Sequence, residues 1–166
     1  MIYLAFIFVI ALGVGGGVWI ANRRTGSPAA DSIQTAENAD IEAATQAFQN
    51  YARLINAYDP SFADSYCRAA VVHLTIHHAS GAVKAGILQI DQLRAKAQMI
   101  VDTGRQAGGQ YHFSNLRASR KLHGVRIEAS LKANLWRRSY PYTADMLQDS
   151  DSVWKIAEEW TEGEAP

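Results

Sequence analysis

The chain begins with an uninterrupted apolar segment. Its first 22 residues carry no charged side chain, and the run MIYLAFIFVIALGVGGGVWI is closed by Arg23 and Arg24. A helix rises about 1.5 Å per residue, so a helix of this length spans roughly 30 Å, the thickness of the hydrocarbon core of a bilayer. The pattern therefore predicts a single transmembrane helix over residues 1–21.

The flanks of this segment favour a retained anchor over a cleaved signal peptide. A signal peptide has a basic n-region and an apolar stretch of roughly 7 to 15 residues, whereas the apolar run here is longer and no basic residue precedes it. Basic residues favour the cytoplasmic side of a membrane. Arg23 and Arg24 thus predict a single-pass membrane protein with a cytoplasmic C-terminal domain, and a periplasmic or extracellular domain is the alternative.

A polar segment follows, and after it a segment with helical periodicity. Residues 22–39 are small and polar, which predicts a flexible linker. Apolar residues then recur at helical spacing over residues 41–58, with Asp40 as the expected N-cap. Asp59 precedes a proline and predicts a short second helix over 60–66.

The remainder alternates between strand and helix patterns. Apolar and polar residues alternate over residues 69–78, which predicts a strand, and an amphipathic helix is expected over 88–103. The final third reads as a run of antiparallel strands, and residues 162–166 as a disordered tail. Helices grouped ahead of antiparallel strands indicate an α+β domain in which helices cover one face of a curved sheet. The predicted later strands cover residues 111–121, 125–136, 139–147 and 154–161.

Composition narrows the function classes. The chain has 166 residues, with 16 basic and 16 acidic side chains and no net charge, which argues against nucleic acid as a partner. Its one cysteine, Cys67, excludes an intrachain disulfide. No glycine-rich phosphate loop, paired-cysteine motif or Ser-His-Asp order is present, so the sequence predicts no cofactor.

Several segments resemble the nuclear transport factor 2-like cone-fold superfamily, which includes ketosteroid isomerase and polyketide cyclase relatives. Phe48–Tyr51, Asn56–Asp59 and Phe62–Tyr66 are similar to the family's opening helix, corner and short helix, and Trp154–Trp160 is similar to its last strand. The resemblance covers residues 40–161. It implies a cone with an open cavity, which members of the family use for isomerase, dehydratase, cyclase or hydrolase chemistry, for ligand binding or for assembly.

The resemblance also implies candidate cavity residues. Tyr51 falls where ketosteroid isomerase has its oxyanion-hole tyrosine, and Asp145 falls near that enzyme's protonated aspartic acid. The position of the catalytic base is taken by Thr75, whose hydroxyl is far too weakly basic for that role. His73 and His77 share the strand face of Thr75, and each is either a base with a pKa near roughly 6.5 or a half-buried structural histidine.

The histidines do not predict a metal site. His73 and His77 are four strand residues apart, roughly 13 Å, and His78 points to the opposite face. The catalytic set is therefore incomplete. The sequence favours a membrane-tethered cone domain of non-catalytic type that binds a protein partner or a small apolar ligand and can pair with a second copy through its sheet. The alternative is an isomerase, dehydratase or hydrolase that acts on a hydrophobic substrate.

Overall fold

The computed structural model describes the backbone of residues 28–165 and the side chains of residues 37–165. The predicted transmembrane helix, residues 1–21, lies outside the described residues. Within residues 28–165, no helix has both the length and the apolar character needed to cross a bilayer.

The described chain is an α+β domain, as the sequence predicts. Its six strands form one sheet in the order β2-β1-β6-β5-β4-β3. Neighbouring strands are antiparallel except β1 and β6, which are parallel. The elements are α1 (Pro28–Asn56), a 3₁₀ helix (Pro60–Ser65), β1 (Tyr66–His77), β2 (Val83–Gln89), α2 (Ile90–Ala107), β3 (Tyr111–Arg120), β4 (Val125–Ala133), β5 (Tyr140–Gln148) and β6 (Trp154–Glu164).

Helix α1 begins earlier than its apolar stripe. It starts at Pro28, so residues 28–39, which the sequence assigned to the linker, are helical, and Asp40 is not an N-cap. Proline fits the first helical turn, and the alanine-rich sequence that follows favours a helix without an apolar face. The predicted stripe is confirmed. Its buried members are Ala44, Phe48, Tyr51, Ala52 and Ile55.

Strand β2 and the end of β6 differ from the predicted pattern. Strand β2 is an edge strand with six of its seven residues exposed, so its sequence shows no alternation to reveal it. Helix α2 ends at Ala107 rather than before Gly104, and Gly108, in the left-handed conformation at φ 59°, is its C-cap. Residues 162–164 are part of β6 because this strand continues alongside β1, where Thr75 lies opposite Glu162.

The core lies between the two helices and one face of the sheet. Its largest fully buried side chains are aromatic, among them Phe48, Tyr51, Phe62, Tyr66 and Tyr142. The pairing register shifts within three of the strand pairs, and such bulges bend a sheet and increase its twist. The sheet is therefore curved, and its inner face encloses the cavity described next.

Candidate functional site

A buried carboxyl group marks the inner face of the sheet. Glu159 on β6 is 3% exposed and is the one charged residue in the core among the described side chains. It lies between Val72 of β1 and Ala144 of β5, both buried. Burying a charge without partners is costly, so a carboxyl at this position needs hydrogen-bond donors around it.

Three tyrosines from three elements surround Glu159. The Tyr66 hydroxyl donates a short hydrogen bond to Oε2 of Glu159. The Tyr51 hydroxyl lies 2.9 Å from the Tyr66 hydroxyl and 3.4 to 3.5 Å from the two carboxyl oxygens. The Tyr142 hydroxyl is buried at the same place and makes no hydrogen bond of regular geometry with a described residue. We call these four residues the Glu159 cluster.

Burial shifts the proton affinities of the cluster. Desolvation raises the pKa of Glu159 to about 7, and the hydrogen bonds of Tyr66 and Tyr51 and the proximity of Tyr142 only partly oppose this. Desolvation and the charge of Glu159 raise the pKa of all three tyrosines well above 10. At neutral pH the tyrosines are therefore hydrogen-bond donors, whereas Glu159 can gain or lose a proton.

The Glu159 cluster lies in a cavity of about 50 Å³ whose other walls are mostly apolar. This volume is well below the roughly 300 to 1,000 Å³ typical of sites for drug-sized ligands. The lining also includes Gly163, Glu164 and Trp136, and the Trp136 ring nitrogen has no hydrogen-bond partner among the described residues. The apolar walls include Val72, Leu74, Ile76, Phe113 and Leu131.

Of the candidate residues from the sequence, Tyr51 lies in the cluster and three others lie on the opposite face of the sheet. The cavity face of β1 carries Val72, Leu74 and Ile76, so His73, Thr75 and His77 point away from the cavity. The alternation correctly separates the two faces, but the polar face is the outer one, because a wall of the core must be apolar.

The two histidines are engaged on that outer face. The Nε2 atom of His73 lies 2.8 Å from Oε1 of Glu158, and its ring stacks on Trp160 at 5.2 Å. The Nε2 atom of His77 lies 2.8 Å from Oε2 of Glu162. Among the described residues, no group of three or more His, Cys, Asp or Glu side chains is placed to hold a metal ion.

Asp145 is also on the outer face. Its carboxylate accepts hydrogen bonds at 2.7 and 2.9 Å from Arg126 and at 2.6 Å from Lys121. Partial burial tends to raise the pKa of Asp145, but these bonds outweigh it and hold the pKa below the usual range. A carboxylate that is ionised at neutral pH and paired with both Arg126 and Lys121 cannot serve as the protonated acid that the resemblance implied.

We expect Asp145→Asn to lower the free energy of unfolding by about 1 to 2 kcal/mol at neutral pH, because the charge-assisted hydrogen bonds of Arg126 are lost. The pKa of Glu159, measured by carboxyl-carbon NMR, should not change. Asp64→Asn, at an exposed carboxylate, is the matched control and should alter neither quantity. A moved Glu159 titration in Asp145→Asn would contradict the separation of the two faces.

Sequence reasoning missed Glu159 because of a bulge. Asp145 pairs with Glu158 and Met146 pairs with Ile156, so Ala157 is an extra residue in β6. Strict alternation places Glu158 on the face of Ile156, whereas the bulge moves Glu158 outward and Glu159 inward. The sequence did carry one signal of a buried acid. Glu158 and Glu159 are adjacent, and one of two adjacent residues in a strand points toward the core.

Comparison of the sequence with known families and curated proteins finds no relative. No model of a known protein family matches the chain, and no curated protein matches it in sequence.

Solved structures share the fold. An NTF2-like protein with a cystatin-like fold from Novosphingobium aromaticivorans has a TM-score of 0.54 at 10% identity over 84% of this chain and 91% of its own. The fold is nuclear transport factor 2-like. From the same bacterium, a protein assigned as the β subunit of an aromatic-ring-hydroxylating dioxygenase has a TM-score of 0.53 at 13% identity, covering 81% of this chain and 93% of its own.

A third structure from that bacterium is assigned as a scytalone dehydratase. Its TM-score is 0.50 at 14% identity, covering 76% of this chain and 85% of its own. Identities this low establish a shared fold and leave the activity open. Proteins of this fold include enzymes, enzyme subunits and proteins of unknown function, so the cavity residues of this chain must carry the functional argument.

Proposed function

We propose that this domain binds a small, largely apolar molecule in its cone cavity and holds one polar group of that molecule against the Glu159 cluster. The observation that carries the proposal is the Tyr142 hydroxyl, which is buried beside the cavity, close to Tyr51 and Glu159, but makes no hydrogen bond of regular geometry with a described residue. A buried hydroxyl whose hydrogen bond is missing or poorly formed costs up to about 1 to 3 kcal/mol, and a ligand that accepts its hydrogen bond recovers part of this cost.

The electrostatics of the cluster select the polar group. A carboxylate at this position would meet the partly ionised Glu159 and lose its own hydration, which disfavours an anion. A carbonyl or hydroxyl oxygen accepts the tyrosine hydrogen bonds at much lower desolvation cost. The volume of about 50 Å³ restricts the part of the ligand inside the cavity to a few heavy atoms.

A cyclic ketone tests the site. We expect cyclopentanone to raise the unfolding temperature of the full-length chain, and Tyr142→Phe to weaken the apparent affinity about tenfold, because one hydrogen bond is lost. Tyr58→Phe is the matched control, since the Tyr58 hydroxyl donates to the Gly109 carbonyl at 2.7 Å and does not line the cavity. The proposal fails if cyclopentanone gives no stabilisation, or if both variants weaken binding equally.

Proton transfer is the second candidate function. It is favoured by the pKa of about 7 at Glu159, which suits a general acid or base at neutral pH. Against it, the two other acidic residues of the cavity lining direct their carboxyls elsewhere: Glu162 pairs with His77 on the outer face, and Glu164 accepts a hydrogen bond from Tyr140. Exchange of the α-hydrogens of cyclopentanone in D₂O distinguishes the two functions. Exchange that is accelerated by the protein and abolished in Glu159→Gln favours an enzyme, and binding without exchange favours a binding domain.

The apolar N-terminal segment suggests where in the cell the domain is located. We infer that residues 1–21 anchor the chain in a membrane and that Arg23 and Arg24 keep the domain on the cytoplasmic side. A reporter that is active only in the cytoplasm, fused after Pro166, should be active. Activity of an exported reporter instead would reverse the orientation. Pairing with a second copy through the outer face of the sheet is part of the same proposal and is tested by sedimentation in detergent.

A further inference from the structure

A second and larger pocket adjoins the cone cavity at the ends of β1 and β6. Its volume is about 480 Å³, and it shares Trp136 and Glu164 with the cavity that holds the Glu159 cluster. We call it the mouth pocket. It is formed by the end of β1, the loop between β4 and β5, and the end of β6, and its polar lining includes His77, His78, Arg137, Arg138, Tyr140 and Glu164.

The mouth pocket carries more positive than negative charge. The guanidinium of Arg137 forms no ion pair with another described residue, and Arg138 is held over the Tyr140 ring with its Nε atom 2.9 Å from the Tyr140 hydroxyl. Glu164 is the one carboxylate of the lining, and it accepts hydrogen bonds from the Arg137 amide and the Tyr140 hydroxyl. Two guanidinium groups against one carboxylate leave an excess positive charge in the lining, which suits an anion and which Glu162, paired with His77 beside the pocket, only partly offsets.

Buried polar atoms at the pocket lack partners. Trp136 is 7% exposed, and its ring N–H finds no acceptor among the described residues. The Nε2 atom of His78 is likewise buried and unpartnered. Both nitrogens are covered by neighbouring atoms, so a bound oxygen reaches them only if a side chain moves, but unsatisfied polar groups of this kind distinguish the pocket from an ordinary basic surface patch.

We propose that the mouth pocket binds the carboxylate of an amphipathic acid whose apolar chain enters the cone cavity and whose far end presents a hydroxyl or carbonyl group to the Glu159 cluster. This inference rests on the proposed function of the cavity. The orientation follows from charge, since guanidinium groups pair with carboxylates whereas Glu159 repels them.

The length of β6 sets the size of the acid. Glu159 and Glu164 are five residues apart, which is roughly 16 Å along a strand. An extended ligand that spans this distance has about as many chain atoms as the strand, on the order of 15, and fewer where the arginine side chains reach inward. A medium-chain acid with a terminal hydroxyl, such as ω-hydroxydecanoate, meets this description: most of its chain lies in the mouth pocket of about 480 Å³, and only its last few atoms enter the cavity of about 50 Å³.

The test compares ω-hydroxydecanoate with its methyl ester on the full-length chain in lipid nanodiscs, by calorimetry. We expect the acid to bind at least about tenfold more tightly than the ester, because a charge-assisted pair is gained. The double variant Arg137→Gln/Arg138→Gln should bind the acid only as tightly as the ester. Arg68→Gln, at an exposed arginine near the opposite end of β1, is the matched control and should leave the preference intact.

The outcomes separate the two proposals. Equal binding of acid and ester overturns the mouth-pocket inference and leaves the proposed function standing. An acid preference that is lost equally in Arg68→Gln also overturns it, since only general charge would then be involved. Binding of neither compound overturns the mouth-pocket inference, and the cyclopentanone experiment then decides the proposed function by itself. The comparison of acid with ester needs no variant, so it decides the inference even if the double variant fails to fold.

Discussion

The free energy of unfolding of this domain is expected to fall by about 3 kcal/mol as the pH rises from 4.5 to 7, and Glu159→Gln should abolish this fall. The carboxyl has a usual pKa of 4.5 and a folded-state pKa of about 7. Each pH unit of that interval is worth about 1.4 kcal/mol. The amide of glutamine imitates the protonated carboxyl, so its stability does not depend on this proton.

The sign follows from proton binding. Between pH 4.5 and 7 the folded state keeps the Glu159 proton and the unfolded state releases it, so raising the pH favours unfolding. The contribution of Glu159 is complete below pH 4.5 and lost above about 7. Asp145 and Asp149, whose pKa values are lowered from 3.8, act in the opposite sense, but in a more acidic range.

Chemical denaturation at a series of pH values measures the effect. The difference between the parent chain and Glu159→Gln isolates the contribution of Glu159, because other titrating groups cancel. Glu158→Gln is the matched control: Glu158 is the neighbouring acid, lies on the outer face and pairs with His73. A parent chain and a Glu159→Gln variant with parallel pH profiles would mean that Glu159 is not buried as described.

The helical and strand patterns predict the fold class because they depend on burial of one face. The stripe on α1 and the alternation along β4 both record contact with one core. These patterns give no signal for helices or strands that bury no face. Nearly all of edge strand β2 is an example, because hydrogen bonds to β1 rather than burial of its side chains hold it in place.

The site was less predictable than the fold for two physical reasons. Alternation along β1 defines two faces, of which the apolar one encloses the cavity, whereas the resemblance drew attention to the polar face with His73 and His77, which is outside. One extra residue, Ala157, then reverses which of the following side chains of β6 point toward the core. Tyr51 was predictable because its helix position is independent of strand register, whereas Glu159 depends on a bulge that local sequence does not specify.

The largest destabilisation by a single methyl group is expected at Gly124, in the turn between β3 and β4. Gly124 has φ 100°, a conformation that L side chains rarely adopt. A Cβ atom there would lie 2.1 Å from the Met146 carbonyl oxygen and 2.6 Å from Cδ2 of Leu147. We expect Gly124→Ala to lower the free energy of unfolding by about 3 kcal/mol, since steric overlap adds to backbone strain.

Gly81→Ala is the matched control, because it separates strain from overlap. Gly81 has φ 85°, but a Cβ atom there would meet nothing within 4 Å. Strain alone should cost about 1 to 2 kcal/mol at this position. If the two variants lose equal free energy of unfolding, then the backbone of β5 shifts at Met146 and the overlap is relieved. A larger loss at Gly124 means that the turn is packed rigidly against β5, the strand that positions the Tyr142 hydroxyl beside Glu159.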